Sequence, residues 1–129
     1  MSDDPHDIHE WNEFRRRMNE KILDSEHLGI KRFFNLDTRA YEDGALPQRT
    51  KELIGLVASL VLRCDDCVTY NLGQCVALGM SDAELHDAMN VGLVVGGSIV
   101  IPHVRRAFAR IEELRSLSST SSGSFDTSG

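Results

Sequence analysis

Apolar residues recur every three or four positions in the first part of the chain, which places them on one side of a helix. Polar and charged residues fill the positions between them, as expected for a helix with one face on a core and the other in water. The pattern predicts an N-terminal amphipathic helix whose apolar stripe is formed by Ile8, Trp11, Phe14, Met18 and Ile22.

Two more helices are predicted on either side of an Asp-Gly break at 43–44. A second helix is expected over Leu28–Tyr41, and a third over about 47–62, because proline suits the first turn of a helix. The third helix is apolar nearly all round after Glu52, which indicates that neighbouring helices cover it. The residues predicted to point inward from the second helix are Ile30, Phe33, Phe34 and Tyr41.

Helix signals continue through the second half of the chain. A fourth helix is expected to begin at a cysteine pair and to stop at Gly79. The segment 81–84 has the form of a capping box that starts a fifth helix, and Pro102 lies near the start of a last one. No run alternates with period two over the length of a strand. The prediction is an all-α domain of about six helices over residues 1–115, followed by a disordered Ser/Gly-rich tail over 116–129.

The composition narrows the class of function. The 129 residues are 41% hydrophobic, enough for one domain with its own core. The net charge of −6 argues against nucleic-acid binding, and the one basic run, at 15–17, is interpreted as a solvated helix face. The apolar stretches fall short of the ~20 residues that span a bilayer, and the polar N-terminus carries no secretory signal. We therefore expect a cytoplasmic protein that binds neither nucleic acid nor membrane.

The strongest chemical signal is Cys64-Asp65-Asp66-Cys67, a C-x-x-C motif in a chain with three cysteines. This spacing serves thiol–disulfide chemistry or half of a metal site. A structural zinc site needs four ligands, whereas this chain has one pair, and His86 and His103 are separated by a whole helix. A redox pair is therefore favoured over zinc or a purely structural role, and no metal or cofactor is expected.

Helical geometry places further polar groups near this pair. If helices three and four form an antiparallel hairpin, Asn71 lies about 10 Å below the turn and Glu52 roughly 15 Å below it on the partner helix. The two side chains are then expected to be neighbours, with Glu52 a buried carboxylate. Asn71 and Cys75 share the helix face of Cys67, and Cys75 is interpreted as a small buried hydrophobic residue.

These features together resemble a known superfamily. Glu52, Cys64 and Cys67 in E-x11-C-x-x-C spacing, followed by an apolar helix, a capping box and a Gly-Gly segment, are similar to the alkylhydroperoxidase D-like, carboxymuconolactone decarboxylase superfamily over about 28–114. The resemblance implies an all-helical fold that assembles as a homo-oligomer, a trimer or hexamer. It also implies reduction of peroxides or exchange of disulfides at the cysteine pair, with a thiol protein as reductant.

The resemblance also implies individual roles. Cys67 would attack a peroxide as thiolate and pass through a sulfenic acid, and Cys64 would resolve it to a disulfide. Cys64 would be the more exposed sulfur, and Glu52 would anchor a proton relay. The relay histidine of the family is replaced here by Asn71, which can hydrogen-bond but cannot act as a general base. His103, at the head of the last helix, is the candidate replacement base.

Three functions are compatible with this pattern. The leading prediction is a thiol–disulfide oxidoreductase that reduces peroxides through Cys64 and Cys67. Because Asn71 interrupts the relay, a redox-sensing or partner-binding oligomer with lapsed peroxidase activity is the second. The third is an enzyme similar to carboxymuconolactone decarboxylase that uses no redox chemistry, against which the cysteine pair argues.

Overall fold

The computed structural model of the protein describes residues 7–118, and within them the chain is helical without strands. This confirms the predicted all-α fold with six α-helices. In chain order they are α1 (Ile8–Asp24), α2 (Leu28–Ala40), α3 (Gln48–Val61), α4 (Asp65–Ala77), α5 (Asp82–Gly96) and α6 (Ile101–Ser118), with a short 3-10 turn at Ser98–Val100 before α6.

Helices α3 to α6 form the centre of the bundle. α3 packs against both α4 and α5, and α6 packs against α4. The most completely buried side chains come from these helices and their connections, and their burial supplies most of the apolar area removed from water. They include Leu56, Leu60, Leu72, Leu85, Met89 and Val100.

The connection from α4 to α5 follows the signals predicted from the sequence. α4 ends before Gly79, which adopts a positive φ of 82°, and Ser81 and Glu84 form the predicted capping box at the start of α5. At Gly92 a Cβ atom would lie 3.1 Å from the side chain of Leu60. Gly92 therefore allows α5 to approach α3 closely, as expected for a glycine at a helix–helix contact.

The N-terminal helices lie at the edge of the bundle. α1 buries Ile8 and Trp11, but Phe14 from the same predicted stripe is 60% exposed. α2 contains no buried residue. The prediction that Ile30 and Phe33 point inward was wrong, because α2 packs mainly on α1 and no described element covers its outer face. Phe34 and Tyr41 are half-buried.

The last helix is longer than the predicted domain. α6 continues to Ser118, three residues past the expected boundary at residue 115, because Leu117 packs into the core with 5% exposure. The rest of the predicted tail, 119–129, lies outside the described residues. Within residues 7–118, no helix is both long enough and apolar enough to cross a membrane.

Candidate functional site

The cysteine pair lies at the N-terminus of α4. Arg63 reverses the chain with a φ of 60°, and Cys64 follows in an extended conformation as the residue that caps the helix. The backbone N–H of Cys67 donates to the sulfur of Cys64 at 3.3 Å, so the thiol occupies the place of a capping oxygen. Asp65 and Asp66 complete the first turn, where negative charge is favourable to the helix.

The two cysteines differ in exposure. Cys67 is exposed and Cys64 is half-buried, so the expectation that Cys64 is the more exposed of the pair was wrong. The reason is the cap: the sulfur of Cys64 folds back onto the first turn of α4, while Cys67 opens into a cavity. In the monomer, Cys67 is therefore the more accessible member of the pair.

Although Cys67 as a whole is exposed, partial burial of its sulfur at the cavity wall raises the pKa of the thiol to about 11. Its hydrogen bond with the Cys64 thiol and the negative charges of Cys64 and Asp66 act in the same direction, and a backbone hydrogen bond opposes them. Because the thiolate is the nucleophile, the reactivity of Cys67 increases with pH through the neutral range and beyond.

A chain of polar side chains runs below Cys67 along the α3–α4 contact. The Asn71 carboxamide donates to Glu52 Oε1 at 3.1 Å, and its oxygen accepts from the Ser59 hydroxyl at 3.1 Å. Glu52 is 1% exposed, and burial raises the pKa of its carboxyl. The antiparallel hairpin thus brings Glu52 and Asn71 together, as the helical rise predicted.

Tyr41 joins this network from the end of α2. Its hydroxyl lies beside the Asn71 carboxamide, and Tyr41 lines the same cavity as Cys67. The approach depends on Gly55 of α3, where a Cβ atom would lie 2.7 Å from the Tyr41 hydroxyl. The apolar periodicity placed Tyr41 inward but assigned it no role, because nothing in the local sequence links α2 to a site on α4.

The cavity has a volume of about 620 Å³ and is walled mainly by α1 on one side and α4 on the other. Arg15 was predicted to be solvated, but α1 crosses the cavity and places its guanidinium 4.4 Å from the centre of the Tyr70 ring. The neighbouring Arg16 does lie on the solvated face, paired with glutamates. The apolar wall is formed by Trp11, Phe14, Met18 and Tyr70, and the charged groups are Arg15, Asp37 and Asp66.

The remaining candidates lie elsewhere. His103 pairs with Asp65 through Nδ1 at 2.8 Å, next to Arg106, and is not among the residues that line the cavity. Cys75 is fully buried, and burial raises the pKa of its thiol to about 12. Among the described residues, no group of three or more His, Cys, Asp or Glu side chains is arranged to hold a metal ion.

Comparison with known proteins identifies the family. A model of the carboxymuconolactone decarboxylase family matches residues 30–110, which include the cysteine pair, Glu52, Asn71 and Tyr41. The chain belongs to this family. The resemblance to the alkylhydroperoxidase D-like, carboxymuconolactone decarboxylase superfamily is thereby confirmed.

Solved structures of the carboxymuconolactone decarboxylase family share this fold. A family protein from Thermotoga maritima, for which involvement in the antioxidative response has been suggested, is 55% identical with a TM-score of 0.79. The match covers 84% of this chain and 92% of that one. The apo structure of a family protein from Legionella pneumophila is 22% identical with a TM-score of 0.76, over 83% of this chain and 96% of that one. At that identity the likeness shows the fold alone.

A more distant sequence relative is an uncharacterized protein of Cupriavidus necator. It is 28% identical over 75 residues, which are 58% of this chain. The chain spans 66% of the length of that relative.

Proposed function

We propose that this protein is a thiol–disulfide oxidoreductase that uses Cys64 and Cys67 as its redox pair and a peroxide as oxidant. The observation that carries the proposal is the arrangement at the start of α4, where the Cys67 backbone N–H donates to the Cys64 sulfur and Cys67 faces a cavity of about 620 Å³. Adjacent thiols on one helical turn can form a disulfide with little movement of the backbone. The suggested antioxidative role of the Thermotoga maritima relative supports the same chemistry.

The reaction proceeds in three steps. The Cys67 thiolate attacks the terminal oxygen of the peroxide, the O–O bond breaks, and the products are an alcohol and a Cys67 sulfenic acid. Cys64 then attacks the sulfenic sulfur, which forms the Cys64–Cys67 disulfide and releases water. A dithiol reductant, which we propose to be a thiol protein, exchanges with this disulfide and restores both thiols.

Titration of the free thiols after one equivalent of a small alkyl hydroperoxide tests the proposal. Two of the three thiols are expected to disappear in the unmodified protein, and Cys67→Ser is expected to abolish the loss. Cys75→Ser serves as the matched control, because Cys75 is buried in the core away from the cavity. Retention of all three thiols, or an unchanged loss in Cys67→Ser, contradicts the proposal.

Asn71 supports a second candidate, a redox-sensing oligomer in which peroxidase turnover has lapsed. The carboxamide bonds to Glu52 and Ser59 where an imidazole could have moved protons. General-base help is worth roughly 10²–10⁴-fold, so its loss would leave disulfide formation slow. Asn71→His is expected to raise peroxide turnover by at least roughly 100-fold if this candidate is right. An unchanged rate from an already active parent favours the oxidoreductase.

A further inference from the structure

Asn71, which occupies the place of the relay histidine, cannot be the acid of the candidate site. A carboxamide has two N–H donors and one oxygen acceptor, and none of these protons is acidic. One N–H donates to Glu52, the oxygen accepts from Ser59, and the Tyr41 hydroxyl lies beside the carboxamide. Asn71 therefore positions its neighbours, and a proton for the reaction must come from another group.

Tyr41 brings a hydroxyl group to the cavity that Cys67 lines, next to the Asn71 carboxamide. A phenolic hydroxyl can donate its proton as well as accept a hydrogen bond. Burial, which is the largest cause, and the negative charges of Glu52, Asp37 and Cys67 raise the pKa overall, so the phenol keeps its proton at neutral pH.

A glycine in α3 gives the Tyr41 hydroxyl room to lie in this position. Gly55 lies directly beneath the contact, and a Cβ atom there would stand 2.7 Å from the Tyr41 hydroxyl and 2.8 Å from Asn71 Nδ2. Asn71 is one helical turn from Cys67 on the same face of α4, and Tyr41, Asn71 and Cys67 line the same cavity. A methyl group at position 55 would displace the ends of both side chains.

From this geometry we infer that the Tyr41 hydroxyl donates the proton to the leaving oxygen when Cys67 attacks a peroxide. The inference rests on the proposed function. As the Cys67 thiolate takes the terminal oxygen, the O–O bond breaks and the departing alkoxide receives the Tyr41 proton, which yields an alcohol. Tyr41 then recovers a proton from water in the cavity. In this account the proton donor is a tyrosine at the end of α2, and it takes the role that a histidine at position 71 of α4 would otherwise have.

Comparison of a peroxide with a disulfide as oxidant distinguishes proton donation by Tyr41 from a purely structural role. An alkoxide is strongly basic and leaves poorly without a proton, whereas the thiolate released from a disulfide leaves without help. Loss of the Tyr41 proton should therefore slow oxidation by a peroxide and spare oxidation by a disulfide. A merely structural change around Cys67 would slow both.

The experiment measures single-turnover oxidation of the reduced full-length chain by tert-butyl hydroperoxide and by oxidised glutathione. Tyr41→Phe is expected to slow the peroxide reaction by roughly 100-fold or more, and the glutathione reaction by less than about threefold. Gly55→Ala is expected to show the same separation, since it displaces the hydroxyl without removing it. Thr38→Val is the control, because it removes a hydroxyl from α2 that donates within its own helix, to the carbonyl oxygen of Phe34.

Two results would overturn the inference. If Tyr41→Phe and the parent react with the peroxide at equal rates, Tyr41 is not the proton donor. If Tyr41→Phe slows the reactions with the peroxide and with glutathione equally, the role of Tyr41 is structural. Failure of the proposed function gives a different result, because the parent itself then forms no Cys64–Cys67 disulfide with either oxidant. The pH profile adds a further check: the advantage of the parent over Tyr41→Phe should persist to pH 10 and disappear only above it, where the phenol ionises.

Discussion

At Cys67 the helix terminus and burial act on the same thiol in opposite directions. A helix N-terminus favours an anion by roughly 0.3–1 kcal/mol, which is less than the ~1.4 kcal/mol that one pKa unit represents. Burial, the Cys64 thiol and Asp66 together raise the pKa from 9.0 to about 11. The sequence showed the opposing charges but could not weigh burial, because burial depends on how α1 and α2 wall the cavity.

The pH dependence of alkylation tests this environment. We expect the reaction of Cys67 with iodoacetamide to accelerate about tenfold per pH unit from neutral pH toward its pKa of about 11, since the thiolate fraction grows at that rate. Cys64→Ser keeps a capping side chain and should lower the pH midpoint of Cys67 alkylation, and Asp66→Asn should lower it as well. Peptide mass spectrometry identifies which cysteine has been alkylated. A plateau below pH 9.0 in the parent would show that the thiol is not perturbed as described.

Glu52 makes a second prediction at the scale of one residue. Because burial raises the pKa of its carboxyl in the fold above the value of 4.5, the neutral form is favoured in the folded state. Stability from this group is fully present below pH 4.5 and is lost as pH rises through the folded pKa. Glu52→Gln, which stays neutral, should therefore raise the free energy of unfolding at pH 7 and have little effect at low pH.

Chemical denaturation at several pH values measures the difference in the free energy of unfolding between Glu52→Gln and the parent. Glu84→Gln is the contrasting variant, because Glu84 is exposed and its pKa is lowered by its capping bonds and by Arg49. Its substitution should reduce stability at pH 7. If Glu52→Gln destabilised the protein at neutral pH as Glu84→Gln does, the buried carboxyl would have to be ionised and well paired.

At the scale of elements, α3 and α4 end in the same way with different residues. In each, the third residue beyond the helix donates to a carbonyl five positions back, a Schellman motif that needs a left-handed residue just before the donor. Gly79 fills this position after α4, but Arg63 fills it after α3 with a φ of 60°. A side chain in this conformation costs about 1 kcal/mol or more, and it stands immediately before Cys64.

Arg63→Gly is expected to stabilise the protein by about 0.5–1 kcal/mol, because it relieves the left-handed strain while adding some flexibility to the unfolded chain. Thermal unfolding should show a rise of a few degrees. Leu62→Gly is the matched control, since Leu62 is exposed and already right-handed, and it should destabilise. Destabilisation by Arg63→Gly as well would mean that Arg63 makes stabilising contacts that outweigh its backbone strain.

Much of the element arrangement could be predicted, and the exceptions have a physical cause. Glu52 and Asn71 meet because a short connection forces an antiparallel hairpin, which the helical rise alone can describe. The position of Tyr41 could not be predicted, because apolar periodicity does not say which neighbour a helix meets. The inward orientation predicted for α2 was wrong for the same reason, because an apolar helix face has the same sequence pattern whether or not the domain core covers it.

At the scale of the whole molecule, large apolar side chains remain exposed on two faces. Phe33 of α2 is 67% exposed, and Val94 of α5 is 79% exposed beside Val91 and Val95. Contiguous exposed apolar residues are typical of surfaces that another chain covers. We propose that copies of this chain associate through the α5 face, defined by Val91, Val94 and Val95, as the predicted homo-oligomer.

Val94→Asp should reduce the assembly to smaller species, since a charge on the α5 face is costly to bury. Sedimentation velocity at micromolar concentration measures the mass. Ala83→Asp adds the same charge to the first turn of α5, roughly 16 Å away along the helix, and should leave the mass unchanged. A parent that sediments as a monomer contradicts the proposal.

The most direct test of the redox proposal is a map of the disulfide formed by one equivalent of tert-butyl hydroperoxide in the reduced protein. Peptide mass spectrometry without reductant is expected to find a Cys64–Cys67 linkage and a free Cys75, and addition of a dithiol should restore all three thiols. If Cys64 and Cys67 are recovered as unmodified thiols, this protein does not reduce peroxides through its C-x-x-C motif.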